Sequence, residues 1–420
     1  MRELDYDAVI IGAGAAGMAA ALPLREAGFR VALLDREGHL GGILMQCIHN
    51  GFGLRRFKEE LTGPEFAERY GARVLAAGVD VFLNTTVMEL DADGPEKSLL
   101  ACGTEHGVLR INARAVILAM GCRERNRGNL GIPGGRPAGI YTAGLAQRLL
   151  NIEGYIPGER AVIIGSGDIG LIMARRLTWV GCDVLAVIEI LPHPSGVTRN
   201  VVQCLHDFDI PLYLSHVVSR IEGQDRVEAV TVTPLNGGSP EPEKSFRIPC
   251  DTVLLSVGLV PENELSKNAG IRLGRDTGGP NVNAHLMTGT EGVFACGNVL
   301  HVHDLVDWAA EEGERCGENA AAYLRGEPMA TVQGAVVPGA NVKYVIPHQY
   351  RPDTANRFSL RALVMKERAE LVVRRDGAVI RRRKLRHVKP AEMIHFNMKA
   401  GELAVEGAES APKPIEVAVE

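Results

Sequence analysis

Residues 7–42, DAVIIGAGAAGMAAALPLREAGFRVALLDREGHLGG, decide the fold. A run of small and β-branched apolar residues, Ala8 to Ile11, leads into Gly12, Gly14 and Gly17, the three positions of a G-x-G-x-x-G turn. The pattern predicts strand, tight turn, helix and second strand. Gly12 allows the turn, Gly14 lets a pyrophosphate approach the backbone, and Gly17 lets the helix lie close on the strand. The helix N-terminus then offers free N–H groups and the positive end of its dipole to the phosphates. The second strand ends at Asp35, 23 positions after Gly12, where a carboxylate accepts hydrogen bonds from the hydroxyls of an adenosine ribose. A glycine-rich turn alone is a weak signal; strand, helix, strand and terminal acid together specify a dinucleotide site.

The same unit recurs. Residues 161–190, AVIIGSGDIGLIMARRLTWVGCDVLAVIEI, repeat the strand, the turn (Gly165, Gly167, Gly170), the helix and a second strand that closes on Glu189, 24 positions after Gly165. Two complete fingerprints predict two dinucleotide sites in one chain, a duplicated fold without a second ligand being the alternative. Glu189 accepts bonds from a free ribose 2′-OH and repels a 2′-phosphate, and residues 190–193 (ILPH) supply no arginine to bind one, so NADH is expected over NADPH. Arg175, Arg176 and Arg199 are the nearby cations that would reverse that preference.

The chain has 420 residues, more than one core usually encloses, so two or three domains are expected. Hydrophobic residues make up 46% and charged residues 23%, with a net charge of −5, the balance of a soluble globular protein. The first apolar run is too short for a secretory leader, and no segment approaches the length of a membrane span. Eight cysteines (47, 102, 122, 182, 204, 250, 296 and 316) form no C-x-x-C pair, which argues against a disulfide framework, a zinc site or an Fe–S cluster and for a reducing cytoplasm. An acidic chain with no basic patch interleaved with aromatics is not built for nucleic acid.

Residues 115–121 (AVILAMG), 252–258 (TVLLSVG) and 292–298 (GVFACGN) are apolar runs ending at or beside a glycine, the form of buried parallel strands that stop where a cofactor passes. The last is followed by an amphipathic helix predicted over about residues 304–324. Pro and Gly cluster at residues 131–139 (GIPGGRPAG) and 259–265 (LVPENEL), which read as the crossings between domains. Residues 331–420 hold 16 Lys+Arg against 10 Asp+Glu, while residues 1–330 hold 30 against 41. A D-G turn at Asp376-Gly377 between two alternating runs predicts a β-hairpin and a small β-rich C-terminal module. The run Arg381 to Lys384 reads as a solvated strand face, or as a dock for an acidic partner.

The order of these elements resembles the two-dinucleotide-binding-domain flavoproteins of the pyridine nucleotide-disulphide oxidoreductase superfamily, over residues 5 to about 325. The resemblance implies an α/β fold with two Rossmann-like domains, the NAD domain inserted in the FAD domain as in glutathione reductase. The implied boundaries are 1–125 and 258–330 for FAD, 126–257 for NAD(H), and 331–420 for the C-terminal module. It assigns FAD to the first turn (Gly12, Gly14, Ala16, Gly17), to Asp35 and Arg36, to Gly42 and Val87, and to Ala119, Gly121, Gly297 and Asn298. NAD falls to Gly165, Gly167, Asp168, Ile169, Gly170, Glu189 and Gly258.

More narrowly, residues 41–53 (GGILMQCIHNGFG), 121–128 (GCRERNRG), 198–205 (TRNVVQCL) and 296–307 (CGNVLHVHDLVD) look like flavoprotein subunits found with anaerobic-type glycerol-3-phosphate dehydrogenases. They are less closely similar to flavin subunits of hydrogen cyanide synthase, opine oxidase and proline dehydrogenase. That likeness implies partner subunits, with a chain bearing Fe–S cysteines among them.

Two departures stand out. Disulphide reductases of the family place cysteines where Leu44 and His49 stand here, and the inserted domain has no C-x-x-C, so electrons are expected to leave the flavin without a dithiol relay. Asn298 replaces the usual Asp that holds a ribityl hydroxyl, keeping an acceptor and losing its charge.

Cys47 and His49 lie in the segment that by resemblance faces the isoalloxazine. Cys47 is either a thiol whose pKa His49 lowers or, as buried Cys ordinarily is, inert. His301, His303, Asp304 and Asp307 have metal-like content, but the reading prefers no metal: Asp304 to cap the helix, the helix N-terminus toward the flavin, and His301 or His303 to tune flavin or meet substrate. Two functions remain open at this stage, an NADH-linked flavoenzyme and a nucleotide-holding subunit with no turnover of its own.

Overall fold

The computed structural model describes residues 1–329, 334–403 and 412–420. It divides into two compact units, residues 1–122 with 261–420, and residues 123–260. The second crossing falls at Val260/Pro261 and the first at Cys122/Arg123. Residues 131–139 lie wholly within the second unit, where Gly134 bridges to Ile221 and Ala138 to Arg226. Their glycines and prolines shape a loop packed on a sheet, not a linker.

The first unit is built on a seven-stranded sheet. Strand Arg2–Ile11 lies parallel between Val31–Leu34 and Gly107–Leu118. Its inner half and all of Val31–Leu34 are buried, because a parallel strand is covered on both faces and so reads as a continuous apolar run. Gly107–Leu118 is long enough to take two more partners on its other edge. Its first half continues an antiparallel meander with Lys97–Gly103 and Thr85–Asp91, and its last three residues pair in parallel with Val293–Ala295. Helix Ala15–Glu26 follows the first turn, and helix Val306–Leu324 packs on it. A Cβ at Gly313 would stand 2.2 Å from the Ala16 oxygen, and one at Gly317 2.2 Å from the Ala20 oxygen, so these glycines set the close approach of the two helices.

The C-terminal part of this unit, from Gly334 on, is β-structure with its own core, including Val345, Tyr350, Phe358, Leu371 and Val417. The hairpin of Lys366–Arg375 and Ala378–Val388 turns at Asp376 (φ 51°) and Gly377 (φ 79°), two successive positive φ angles that match a primed turn. The last strand, Ile415–Val419, inserts between Gly334–Pro338 and Lys366–Arg375. Of the basic run, Arg381 pairs with Glu402, Arg382 with Glu370, and Arg383 donates to the His395 carbonyl. Three of its four cations thus have partners, on the neighbouring strand (Glu370), on strand Met393–Met398 (His395) and in the turn after it (Glu402).

The second unit has a five-stranded parallel sheet, with strand Arg160–Ile164 between Asp183–Ile188 and Thr252–Leu255. Helix Asp168–Trp179 follows its glycine turn. An antiparallel meander of His216–Glu222, Ala229–Asn236 and Phe246–Pro249 covers the sheet. Among the described residues no helix is long and apolar enough to cross a membrane.

Candidate functional site

The first glycine turn sits at the carboxyl end of the parallel strands. Gly12 has φ +106°, and a Cβ there would lie 2.4 Å from the Ala119 oxygen. Gly17 is tighter, 1.8 Å from the Gly12 oxygen, so both serve close backbone packing. Gly14 differs: its Cβ would meet nothing within 4 Å, which leaves open space over the helix N-terminus where a pyrophosphate belongs. Asp35 accepts from the Ala13 amide at 2.6 Å and from Glu37 N–H at 2.9 Å.

Neighbouring turns close around the same point. The Gly41 amide donates to the Ala13 oxygen. A Cβ at Gly42 (φ +53°) would stand 3.4 Å from Gly14 Cα, and one at Gly297 would stand 2.6 Å from Ala16 Cβ. Ala119 bonds to Ile11, and Gly121 follows it with φ +74°. Arg36 is exposed beside Asp35. Val87 stands apart, on the antiparallel strand Thr85–Asp91 and not at a parallel strand end. Open space at Gly14, the helix N-terminus and an acceptor at Asp35 together fit FAD.

The second turn repeats this geometry. A Cβ at Gly165 (φ +92°) would meet the Ser256 oxygen at 2.1 Å, and Gly170 N–H donates to Ser256 Oγ at 3.0 Å. As Ala13 donates to Asp35, Ser166 N–H donates to Glu189, at 2.9 Å. Glu189 is nevertheless only 3% exposed, because the segment that follows it folds back over the turn. Its carboxylate also accepts from Ser166 Oγ (2.5 Å), Ser195 Oγ (2.7 Å) and Leu191 N–H (3.0 Å). Ser195 N–H donates to Ser166 Oγ, while Val197 N–H and Asn200 Nδ2 donate to Asp168. Two carboxylates read as nucleotide ligands therefore hold a protein strap over residues 191–200. Ile169 is half-buried, and the Gly258 carbonyl (φ +97°) accepts from Arg125 N–H. Of the nearby arginines, Arg175 lies over the Trp179 ring and Arg176 donates to Asn151.

Beside Gly297 the chain builds a buried polar group that sequence reading found only in part. Glu312 is its centre. One oxygen accepts from Gly297 N–H at 2.8 Å and has His303 Nε2 at 3.5 Å; the other lies 2.9 Å from His301 Nε2, with Arg315 Nη2 at 3.9 Å. Burial opposes ionisation of Glu312, but the His301 and His303 rings and their hydrogen bonds outweigh it and hold the carboxyl well below its usual range. Burial pushes His301 down to about 4, so at neutral pH it is an uncharged ring. His301 is wholly enclosed, and the His303 side chain is only 3% exposed. Asn298 Oδ1 accepts from His303 N–H at 2.9 Å, and its Nδ2 lies 3.5 Å from Cys122 Sγ. The ligand atoms of His301, His303 and Glu312 lie within 4.8 Å of one another. The amide and arginine donors on Glu312 suit a hydrogen-bonded anion better than a cation site.

The two aspartates act elsewhere. The helix begins at Val306 with Leu305 as its cap residue and no side-chain cap, so Asp304 does not cap it and instead accepts from Met393 N–H at 2.9 Å. Asp307 accepts from the amides of Gly53, Arg55 and Arg56, pinning the loop that follows Cys47 and His49. Trp308 is held between the Arg55 guanidinium (3.7 Å) and the His395 ring (3.9 Å). Glu312 and Trp308 were missed in the sequence. An acid on the same helical face as Gly313, Cys316 and Ala320 was the available signal, since acids seldom occupy a buried stripe.

Cys47 donates to the Ile43 oxygen at 3.3 Å, and burial pushes its thiol up to about 12, opposite to an activated thiolate. The His49 ring is engaged with the Asn50 carbonyl and Phe52. All eight cysteines are free thiols. Cys296 and Cys316, far apart in sequence, are both buried, and Cys296 is raised well above the usual thiol range by its hydrogen bond with Cys316 and by burial.

Fold and turns together define a flavoprotein of the two-Rossmann type. Residues 6–313 match the pyridine nucleotide-disulphide oxidoreductase family, and the chain belongs to it, a family of oxidoreductases that use FAD and NAD(P)H. An opine oxidase subunit of Agrobacterium tumefaciens is 29% identical over 290 residues, 64% of this chain and 55% of the relative. A hydrogen cyanide synthase subunit of Pseudomonas protegens is 28% identical over 293 residues, 64% of this chain and 60% of the relative. The chain thus spans little more than half the length of these relatives. The thioredoxin reductase of T. acidophilum superposes with a TM-score of 0.63 at 23% identity, over 76% of this chain and 98% of that one, a likeness of fold.

Proposed function

We propose that this chain is the flavin subunit of a multisubunit dehydrogenase, moving reducing equivalents between NADH and FAD and exchanging them with a partner subunit or small acceptor without a disulfide relay. The observation that carries this is the doubled turn: in each unit the amide after the first glycine is bonded to the carboxylate at the second strand's end, Ala13 to Asp35 and Ser166 to Glu189. When bound, FAD accepts the hydride that NADH supplies. The chain's own work is to bind and orient. The helix N-termini at Gly14 and Gly167 take the pyrophosphates, and Asp35 takes ribose hydroxyls. Glu312 holds the Gly297 amide and the two histidines, and His303 in turn holds Asn298, so this group fixes the Gly297–Asn298 turn, whose residues would hold FAD.

NADH is favoured because Glu189 repels a 2′-phosphate while Arg175 and Arg176 are engaged elsewhere. The likeness to opine oxidase and hydrogen cyanide synthase subunits supports a complex, with an Fe–S chain as the candidate partner and the cytoplasm as its place. The stretches at residues 41–53 and 296–307 support a place in glycerol-3-phosphate oxidation.

One observation favours a second reading, a nucleotide-holding subunit without turnover: the strap of residues 191–200 occupies the carboxylates of the second site. The purified protein decides between them. Under the first reading it is yellow and NADH bleaches it without air; under the second it stays yellow when NADH is added.

A further inference from the structure

Away from both glycine turns, a cavity of about 360 Å³ opens in the first unit, lined by Arg272, Arg275, Asn281, Tyr344 and His348 among others. The arginines stand on a loop whose backbone closes on itself: Asn281 N–H donates to the Arg272 oxygen, and Gly274 N–H to Gly279. Among the described residues neither guanidinium has a hydrogen bond or an ion pair. Arg69 and Arg382, by contrast, each pair with a glutamate.

His348 supplies a third donor, and its tautomer is settled by its neighbours. Val282 N–H donates to His348 Nδ1 at 3.1 Å, and His348 N–H donates to the Val282 oxygen at 3.1 Å. With Nδ1 fixed as acceptor, the neutral ring carries its proton on Nε2. That nitrogen faces the cavity loop, 3.3 Å from where a Gly274 Cβ would stand. The one acid on the wall is Asp276, against two guanidinium groups.

We propose that this cavity binds a small organic oxyanion, a phosphate ester or a carboxylate, through Arg272, Arg275 and the Nε2–H of His348. Arginine recognises both groups by paired N–H donors. The volume exceeds a water molecule's share of about 30 Å³ many times over, so there is room for a carbon skeleton as well as the charged group. Tyr344, which lines the cavity, meets the His301 ring edge-on at 5.7 Å and accepts from Arg361. One aromatic ring thus separates the occupant from the His301–Glu312 pair.

The test is ligand-observed NMR on the full protein saturated with FAD and NAD⁺, so that pyrophosphate sites are filled, with phenyl phosphate and phenylacetate as probes. Binding of phenyl phosphate alone marks a phosphate site, and binding of phenylacetate marks a carboxylate site. The doubly substituted Arg272→Ala/Arg275→Ala protein should bind the preferred probe about tenfold more weakly. His348→Asn, which keeps an acceptor for Val282 N–H and removes the Nε2 donor, should weaken it by a smaller factor. Arg382→Ala, on the distant strand Ala378–Val388, should leave binding unchanged. The proposal is overturned if neither probe binds the wild type, if the double variant binds as the wild type does, or if Arg382→Ala loses as much.

Discussion

Replacing Gly14 by Val separates nucleotide binding from folding, which few substitutions in this turn do. Gly14 has φ −73° and ψ −174°, an extended conformation that β-branched residues adopt without strain. A Cβ there meets nothing within 4 Å, so the substituted protein should fold with a stability within about 0.5 kcal/mol of wild type, the usual range for an unobstructed surface site. The open space is what the pyrophosphate needs, and a branched side chain would hold the phosphates off the helix N-terminus. Losing two N–H bonds to a charged group costs about 3–6 kcal/mol, equivalent to roughly a 10²–10⁴-fold loss of FAD affinity. Gly12→Val is the contrast: φ +106° and a Cβ 2.4 Å from the Ala119 oxygen predict a damaged fold, not a clean loss of flavin. The assay is flavin content by absorbance beside thermal unfolding of the flavin-free protein. Gly14→Val protein that keeps a full complement of FAD would refute the placement of the pyrophosphate.

Three further outcomes follow from the site. Wild-type flavin should be reduced faster by NADH than by NADPH, with Glu189→Ala narrowing the gap and Ser195→Ala, which frees one acceptor of Glu189 from the strap, raising NADH affinity; a wild-type preference for NADPH would sink the reading of Glu189. Burial holds His301 at about 4 and His395 at about 3, so in this range the unfolded chain binds more protons than the folded one. Stability should therefore fall as pH drops below the unfolded value of about 6.5 toward 4, by up to a few kcal/mol per group, and His301→Gln should flatten that slope in thermal unfolding; an unchanged slope would contradict it. Because burial pushes Cys47 up to about 12, Cys47→Ser should leave NADH-to-dye turnover within about threefold of wild type, and protein that binds FAD yet passes no electrons would show a thiolate at work.

Local signals carried much of the fold. Apolar runs flanked by glycines marked the parallel strands, because burial on both faces writes itself into consecutive residues. Asp376-Gly377 marked a hairpin because both positions need positive φ. Pairings between distant segments left no such trace. Ile415–Val419 sits between strands that start 81 and 49 residues before it, and nothing local in it names those partners. At the site, the glycines and terminal acids were legible, while the jobs of Asp304, Asp307 and Glu312 were not. Their partners include backbone amides of Met393, of Gly53, Arg55 and Arg56, and of Gly297, and a backbone amide has no sequence signature. The strap over Glu189 was hidden for the same reason, since serines at 166 and 195 read as ordinary turn residues. Nor did spacing bring Cys296 and Cys316 together; only the packing of the helix under the Gly297 turn does.

The central claim is that flavin is the sole redox group NADH reaches in this chain, and an anaerobic titration of the purified flavoprotein with NADH tests it most directly. FAD takes a single hydride, so flavin absorbance should bleach linearly and stop at about one equivalent of NADH per FAD. Uptake of a second equivalent would contradict the account and point to the buried Cys296–Cys316 pair as a disulfide in the purified protein that the second equivalent reduces to two thiols, and flavin that stays oxidised would show that the second dinucleotide turn does not deliver hydride at all.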